Sequence, residues 1–170
     1  MVSIRIATLE DLEAIIRIYN EAIVNTTATF DTKPKEVKEQ TRWFKSHGTS
    51  YPIIVALKKD RIVGWAALSP WSDRSAYSGT AEISVYVEKE HRGLGIGKIL
   101  VKTILQKGNA SAFHTIIARI AENNRRSVCM FESVGFRHIG VMKEVGKKFG
   151  KLIDVYLMQK IYADQTQRTE

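Results

Sequence analysis

A glycine-rich segment, HRGLGIGK at residues 91–98, constrains the fold more than any other part of the chain. The run before it, ISVYV (83–87), has the β-branched character of a strand, and the run after it, ILVKTIL (99–105), has helical spacing. Glycines leave backbone amides uncovered, and a helix start attracts anions through its free N–H groups and its dipole. The sequence therefore predicts a strand, an anion-binding loop and a helix in succession.

Two common phosphate-binding fingerprints do not fit this segment. A dinucleotide fingerprint needs a third glycine where Lys98 or Leu100 stands, and a Walker loop needs Ser or Thr where Ile99 stands. The pattern that remains is R-x-x-G-x-G over residues 92–97, preceded by a strand and opening a helix. That arrangement suits a pyrophosphate group, although a tight turn alone would also explain the glycines.

The rest of the chain predicts a mixed α/β sheet with helices on its faces. Thr8 and Asp11 resemble a capping box before a helix whose apolar residues run from Leu12 to Ile23. We expect one domain over residues 1–162 and a flexible tail over 163–170. Further helices are predicted over 33–48, 98–108 and 124–135, the last capped by Asn124 and closed by Gly135. Strands are predicted over 51–59, 61–69, 81–87, 115–121, 138–145 and 152–161.

Composition narrows the class of ligand. The 26 Lys and Arg against 18 Asp and Glu give a formal net charge of +8, which favours anionic ligands. The basic residues form scattered pairs without a long block, so a nucleic-acid-binding protein is only a remote alternative and we predict no nucleic-acid partner. Neither a signal peptide nor an apolar membrane span is visible, which predicts a cytoplasmic protein without a membrane partner.

Metal and disulfide chemistry have little basis in the sequence. Cys129 is the single cysteine, which fits a reducing compartment, and its apolar neighbours favour core packing over a nucleophilic role. The histidines lack ligand spacing, so we predict no metal. They are His47, His91, His114 and His138.

The R-x-x-G-x-G pattern resembles the coenzyme A pyrophosphate loop of the GCN5-related N-acetyltransferase (GNAT) superfamily. The strand SVYV before it and the segment NRRSVCMFESVGF (124–136) match the family's neighbouring motifs, and the resemblance runs from Ile4 to Ile161. It implies an α/β (α+β) GNAT fold: a central, mixed, mostly antiparallel twisted sheet flanked by helices, with strands splayed at the acetyl-CoA site.

The resemblance also implies acetyl-CoA as co-substrate and a set of binding residues. The family's splayed strand pairs with the pantetheine arm, its glycine loop holds the pyrophosphate, and an Asn contacts the coenzyme before the next helix. Carried over, the cofactor-binding residues are Val85, Tyr86, Val87, Arg92, Gly93, Leu94, Gly95, Ile96, Gly97, Lys98, Asn124 and Ser127.

A narrower resemblance comes from the loops TATFDTKP (27–34), PWSDRSAYSGTAE (70–82) and KFGKLIDVYLMQ (148–159), which look like those of the phosphinothricin and methionine sulfoximine acetyltransferase group. It implies acetylation of the α-amino group of a small amino-acid-like amine, and a homodimer. Protein or peptide N-termini, or another small amine, remain alternative acceptors.

Acetyl transfer to an amine requires a base, because an amine is mostly protonated near neutral pH. Strand alternation puts Glu82 on one face with Ser84 and Tyr86, and a carboxylate is unusual in such an apolar strand. The resemblance makes Glu82 the catalytic base, which would activate the amine for direct attack on the thioester. A glutamate at a strand edge, facing water or paired with a lysine, is the alternative.

The leaving thiolate lacks its usual acid. Many relatives carry Tyr four residues before the glycine of the closing Gly-Phe pair, whereas this chain has Phe131. Either water protonates the thiolate later or Ser127 or Tyr156 substitutes, and the sequence does not rank these two.

Four loop residues are candidates for the acceptor pocket. Arg74 would hold a carboxylate through paired hydrogen bonds, and aromatic rings would shape the cavity, although aromatic residues are also common in cores. The candidates are Phe30, Trp71, Arg74 and Tyr77.

Overall fold

The computed structural model of the chain describes residues 1–162; the predicted flexible tail, 163–170, lies outside the described residues. The strands are β1 (Val2–Ile6), β2 (Ile53–Lys58), β3 (Arg61–Pro70), β4 (Thr80–Val87), β5 (Thr115–Ala121), β6 (Arg137–Lys148) and β7 (Lys151–Ile161). The helices are α1 (Leu12–Asn25), α2 (Val37–His47), α3 (Ile96–Ala110) and α4 (Arg125–Glu132).

The strands form one seven-stranded sheet in the order β1-β2-β3-β4-β5-β7-β6. Each neighbouring pair is antiparallel except β4 and β5, which run parallel. The predicted mixed, mostly antiparallel α/β sheet is therefore confirmed. The parallel pair stands at the centre, and α3 makes the crossover between its two strands.

Helices cover both faces of the sheet and bury two apolar clusters. On one face α3 places Leu100 and Ile104, both fully buried, against the sheet. On the other face Ile15 and Ile18 of α1 pack with Trp65 of β3. Burial of these side chains removes apolar surface from water and is the main force that holds the layers together.

The alternation predicted for β4 is confirmed by its two neighbourhoods. Ile83, Val85 and Val87 pack in the cluster beneath α3, whereas Tyr86 packs on the opposite face with the aromatic residues near α1. Glu82 lies two positions before Ser84 on the Tyr86 side, as the period of two requires.

Three local details depart from the sequence prediction. The capping-box residues Thr8 and Asp11 are present, but they open a single 3₁₀ turn that leads into α1. β1 was not predicted, because five alternating residues at a sheet edge carry a weak pattern. Cys129 was expected in the core, yet it is exposed, because α4 turns Phe131 toward the core and Cys129 outward.

Candidate active site

The central feature of the site is the point where β4 and β5 separate. The two strands pair only from Thr80–Glu82 to Thr115–Ile117. Beyond Glu82, β4 stays with β3 as far as Val87, and β5 stays with β7 as far as Ala121. The two halves of the sheet therefore diverge and leave the β5-facing backbone edge of residues 83–87 without a strand partner in the described part of the chain.

A cleft of about 540 Å³ opens at this separation. α1, the loop after it, both diverging strands, α4 and the β6–β7 hairpin all contribute walls. The lining residues are Tyr19, 27–31, 82–86, 119–121, Asn124, Ser127, Phe131, Met142, Val145 and Val155.

The glycine loop leads from β4 into α3. Gly93 and Gly95 have φ angles of 79° and 80°, in the left-handed region that favours glycine, and Gly95 is the N-cap of α3. A Cβ built on either glycine would meet nothing within 4 Å, so the outer side of the loop is open. The first N–H groups of a helix lack intrahelical partners, so the amides that begin α3 at Ile96 are available to an anion.

Arg92 does not point freely into the loop. Its Nε donates to the carbonyl oxygen of Val87 at 2.9 Å, and its guanidinium also pairs with Glu21 of α1. In this arrangement the Arg92 side chain ties the loop to β4 and to α1. Lys98, the other basic residue of the segment, is exposed.

A buried carboxylate anchors the start of the loop. Glu88 directly follows β4 and pairs with Arg17 of α1. Its Oε1 also lies 2.5 Å from Arg61 Nη2 of β3. His91 Nδ1 lies 3.0 Å from its Oε2. Burial opposes the ionised form, but the two arginines outweigh it and lower the pKa of Glu88. The loop therefore starts from a fixed position.

Glu82 makes a two-pronged ion pair with Arg119 of β5. Arg119 Nε donates to Oε1 at 2.6 Å and Nη2 donates to Oε2 at 2.7 Å. The Glu82 side chain is 18% exposed and that of Arg119 is 52% exposed. Because both residues line the cleft, the candidate base stands at the branch point as a carboxylate with a guanidinium beside it.

The loop of residues 27–31 forms another wall of the cleft. The Tyr19 hydroxyl donates to Asp31 Oδ2 at 2.6 Å and lies 2.9 Å from Thr29 Oγ1. Burial raises the pKa of Tyr19, and it raises that of Tyr86, whose ring centroid lies 4.9 Å from Tyr19, to about 12. Both phenols therefore remain protonated at ordinary pH and act as hydrogen-bonding walls.

The start of α4 contributes a further wall of the cleft. The Asn124 side chain accepts a hydrogen bond from the Ser127 amide at 3.3 Å and so caps the helix, as predicted. Ser127 and Phe131 also line the cleft, and Phe131 packs against Phe136 with ring centroids 4.9 Å apart. Ser127 therefore places a hydroxyl-bearing residue in the same cleft wall as Phe131, whereas Tyr156 is not part of the lining and packs by His138, with 6.1 Å between ring centroids.

The four predicted acceptor residues are not brought together. Phe30 lines the cleft, and Trp71 reaches it indirectly by lying over the Arg119 guanidinium, 5.8 Å from the ring centroid. Arg74 and Tyr77 lie on an exposed 3₁₀ turn between β3 and β4, and neither is part of the cleft lining.

Sequence reasoning missed Arg119, and it also missed the polar group formed by Tyr19, Thr29 and Asp31. A signal for Arg119 was present, since it is the one charged residue in the apolar strand TIIARIA. The polar group had no such signal, because its members come from a helix and a loop that meet only in the fold.

Within residues 1–162, no group of three or more His, Cys, Asp or Glu side chains is arranged to hold a metal ion. No helix in that range has the length and apolar character needed to cross a membrane.

The fold thus places a split in the sheet beside a glycine loop at a helix start, with a carboxylate at the branch point. The sequence profile of the "Acetyltransferase (GNAT) domain" family matches residues 4–157. The chain therefore belongs to the GNAT acetyltransferase family and is an acetyl-CoA-dependent N-acetyltransferase.

Individual relatives agree in length and fold. An L-methionine sulfoximine/L-methionine sulfone acetyltransferase of Pseudomonas aeruginosa is 35% identical over 159 residues, which is 92% of each chain. The crystal structure of a phosphinothricin acetyltransferase from Sinorhizobium meliloti in complex with acetyl-CoA superposes with a TM-score of 0.91 at 33% identity, covering 94% of this chain and 88% of that one. A ribosomal-protein-alanine N-acetyltransferase from Brucella melitensis gives a TM-score of 0.92 at 34% identity, with 94% and 99% covered.

Proposed function

We propose that the protein transfers the acetyl group of acetyl-CoA to the α-amino group of a small amino-acid-like acceptor, of the methionine sulfoximine or phosphinothricin type. The observation that carries this proposal is the Glu82 carboxylate at the branch of β4 and β5, in a cleft that also holds a guanidinium. The named activities of the Pseudomonas and Sinorhizobium relatives agree with it.

In the proposed mechanism Glu82 accepts a proton from the acceptor's ammonium group, directly or through water. The neutral amine then attacks the thioester, which acetyl-CoA supplies as an activated acetyl group, and no acyl-enzyme is formed. Glu82 suits this role because its side chain is only 18% exposed and lies where the two strands part. The departing thiolate takes a proton from water or from Ser127, which lines the same cleft, and the second proton lost by the attacking nitrogen replaces the one that this donor gave up.

The coenzyme site proposed here follows the predicted residues with one change. The open backbone edge of Val85, Tyr86 and Val87 would pair with the pantetheine arm. The loop residues Gly93, Leu94, Gly95, Ile96, Gly97 and Lys98 would hold the pyrophosphate, and Asn124 and Ser127 would border the cleft at the start of α4. Arg92 serves as a strut for the loop, because its guanidinium is already paired with Glu21.

A second acceptor class, the N-terminus of a protein or peptide, is favoured by the name of the Brucella relative. The experiment that separates the two classes is thiol release from acetyl-CoA with a panel of free amino acids, including methionine sulfoximine and phosphinothricin, beside short peptides and a polyamine. We expect turnover with the free amino acids. Turnover with the peptides alone would contradict the proposal.

Assembly and location belong to the same proposal. A homodimer, implied by the resemblance, is supported by apolar residues of the β6–β7 hairpin that are about half exposed: Ile139, Val141, Val145, Phe149 and Leu152. Light scattering of the purified protein would contradict it by giving the mass of a single chain. A cytoplasmic location and a single domain over residues 1–162 remain predictions from the sequence.

A further inference from the structure

Arg119 is the one cation in the wall of the cleft, as far as the described residues go. It lies in β5, at the level where β4 has begun to diverge, and just over half of its side chain is exposed. A charged residue in an otherwise apolar strand needs a partner, and Glu82 supplies one.

The pairing with Glu82 leaves part of the guanidinium unused. Arginine carries five N–H donors in a planar fork. Glu82 takes one on Nε and one on Nη2, and within residues 1–162 no other acceptor is hydrogen-bonded to Arg119. The edge formed by Nη1 and the remaining Nη2 hydrogen therefore stays open, and such an edge matches the two oxygens of a carboxylate.

Trp71, together with Glu82, restrains the orientation of the open edge. The Arg119 guanidinium lies over the Trp71 ring, with 5.8 Å between Cζ and the ring centroid. Glu82 holds the edge of the guanidinium that carries Nε. A guanidinium held by an ion pair and an aromatic face loses less freedom when it binds a second anion. The site is thus already arranged before the acceptor arrives.

Glu82 and Arg119 are in contact with each other. An acceptor that reaches both must therefore carry its amine and its anionic group close together. The amine must approach Glu82, so an anion bound by Arg119 has to be close to that amine in the same molecule. An α-amino acid carries both groups on one carbon. A peptide N-terminus has an uncharged amide at that place, and a polyamine has no anion.

We infer that Arg119 binds the α-carboxylate of the acceptor and makes the enzyme selective for free α-amino acids over amines that lack a neighbouring carboxylate. This inference rests on the proposed function. It gives Arg119 the role that the sequence suggested for Arg74, which is exposed and outside the cleft lining.

The test compares L-methionine sulfoximine with its α-carboxamide as acceptors for the unaltered enzyme and for Arg119→Met. The quantity is the ratio of kcat/KM for the acid to kcat/KM for the amide. We expect Arg119→Met to lower this ratio roughly 10- to 100-fold, the effect of losing hydrogen bonds to a charged group. A loss common to both acceptors reports the disturbed Glu82 and cancels in the ratio. The difference in amine basicity between the acid and the amide affects both enzymes alike, so it cancels when the ratio of the variant is divided by that of the unaltered enzyme.

Further variants complete the test. Arg119→Lys keeps the charge but loses the fork, so it should recover part of the ratio, and Arg42→Met, an exposed position on α2, should leave the ratio and the KM for acetyl-CoA unchanged. An unchanged ratio in Arg119→Met, or a collapse in Arg74→Met instead, overturns the inference alone. Failure of the unaltered enzyme to acetylate any free amino acid overturns the proposed function, and the inference falls with it.

Discussion

Lys148 Nζ donates a 2.7 Å hydrogen bond to the carbonyl oxygen of Thr29, joining the end of β6 to the loop that walls the cleft. Lys148 is 5% exposed, and burial lowers the pKa of its ammonium group, although Asp31 opposes this. The hairpin and the 27–31 loop therefore behave as one wall.

Replacing Lys148 with Met should raise the KM for the acceptor, because the Thr29 carbonyl loses its donor and the loop is released. We expect a loss of about 1–3 kcal/mol in the free energy of unfolding. Steady-state kinetics and urea unfolding measure the two effects. Lys147→Met, its exposed neighbour, is the control, and equal behaviour of the two variants would contradict this role.

Gly146 provides a second test of the same wall. A Cβ at this position would lie 2.2 Å from the Phe30 ring, so Gly146→Ala must displace Phe30. We expect a loss of about 1–3 kcal/mol in the free energy of unfolding and a higher KM for the acceptor. Gly140→Ala on the same strand, where a Cβ meets nothing within 4 Å, is the matched control. A thermal denaturation profile that does not separate the two variants would exclude the packing explanation.

The proposed role of the glycine loop in binding pyrophosphate is tested by Gly95→Asp. The change sets a side chain and a negative charge in the proposed pyrophosphate site, so affinity for acetyl-CoA should fall at least about tenfold. Gly150→Asp has a similar φ, 76° against 80°, and equal open space, so it carries the same backbone strain without touching the loop. Calorimetric titration with acetyl-CoA distinguishes the two variants. Retained affinity in Gly95→Asp would exclude the glycine loop as the pyrophosphate site.

Glu82→Gln tests the base. The amide cannot accept the proton, so turnover should fall by a factor on the order of 10² to 10⁴ while acetyl-CoA affinity stays the same. Glu13→Gln, an exposed residue of α1, controls for loss of a charge. Single-turnover measurements across pH check the prediction, and a rate equal to that of the unaltered enzyme would remove Glu82 from the mechanism.

His47 should make the fold sensitive to acid. Burial lowers its pKa below 6.5, although the Trp43 carbonyl opposes this, and the ring also lies 3.0 Å from Ser69 Oγ. Because the unfolded chain protonates His47 at a higher pH than the folded chain does, stability falls as the pH drops below about 6.5. His47→Gln should lose less stability than the unaltered protein between pH 7.5 and 5.5 in urea unfolding, and an identical loss would contradict this assignment.

Local patterns allowed several features of this protein to be predicted. The glycine loop between a strand and a helix, the two faces of β4 and the Asn124 cap each depend on residues a few positions apart, so periodicity and backbone preference reveal them. The mixed sheet followed from the alternation of such segments. The coenzyme and the reaction came from the resemblance that these motifs carry.

Tertiary structure alone decided which side chains meet in the cleft. Glu82 and Arg119 are 37 positions apart, and Thr29 and Lys148 are 119 apart. Glu82 meets Arg119 because β4 and β5 run parallel and then separate. Thr29 meets Lys148 because the β6–β7 hairpin packs against the loop of residues 27–31. Sequence spacing has no information on such pairs, since the packing of the whole sheet sets the distances. For the same reason the fold turned Arg92 toward Glu21 and left Arg74 at the surface.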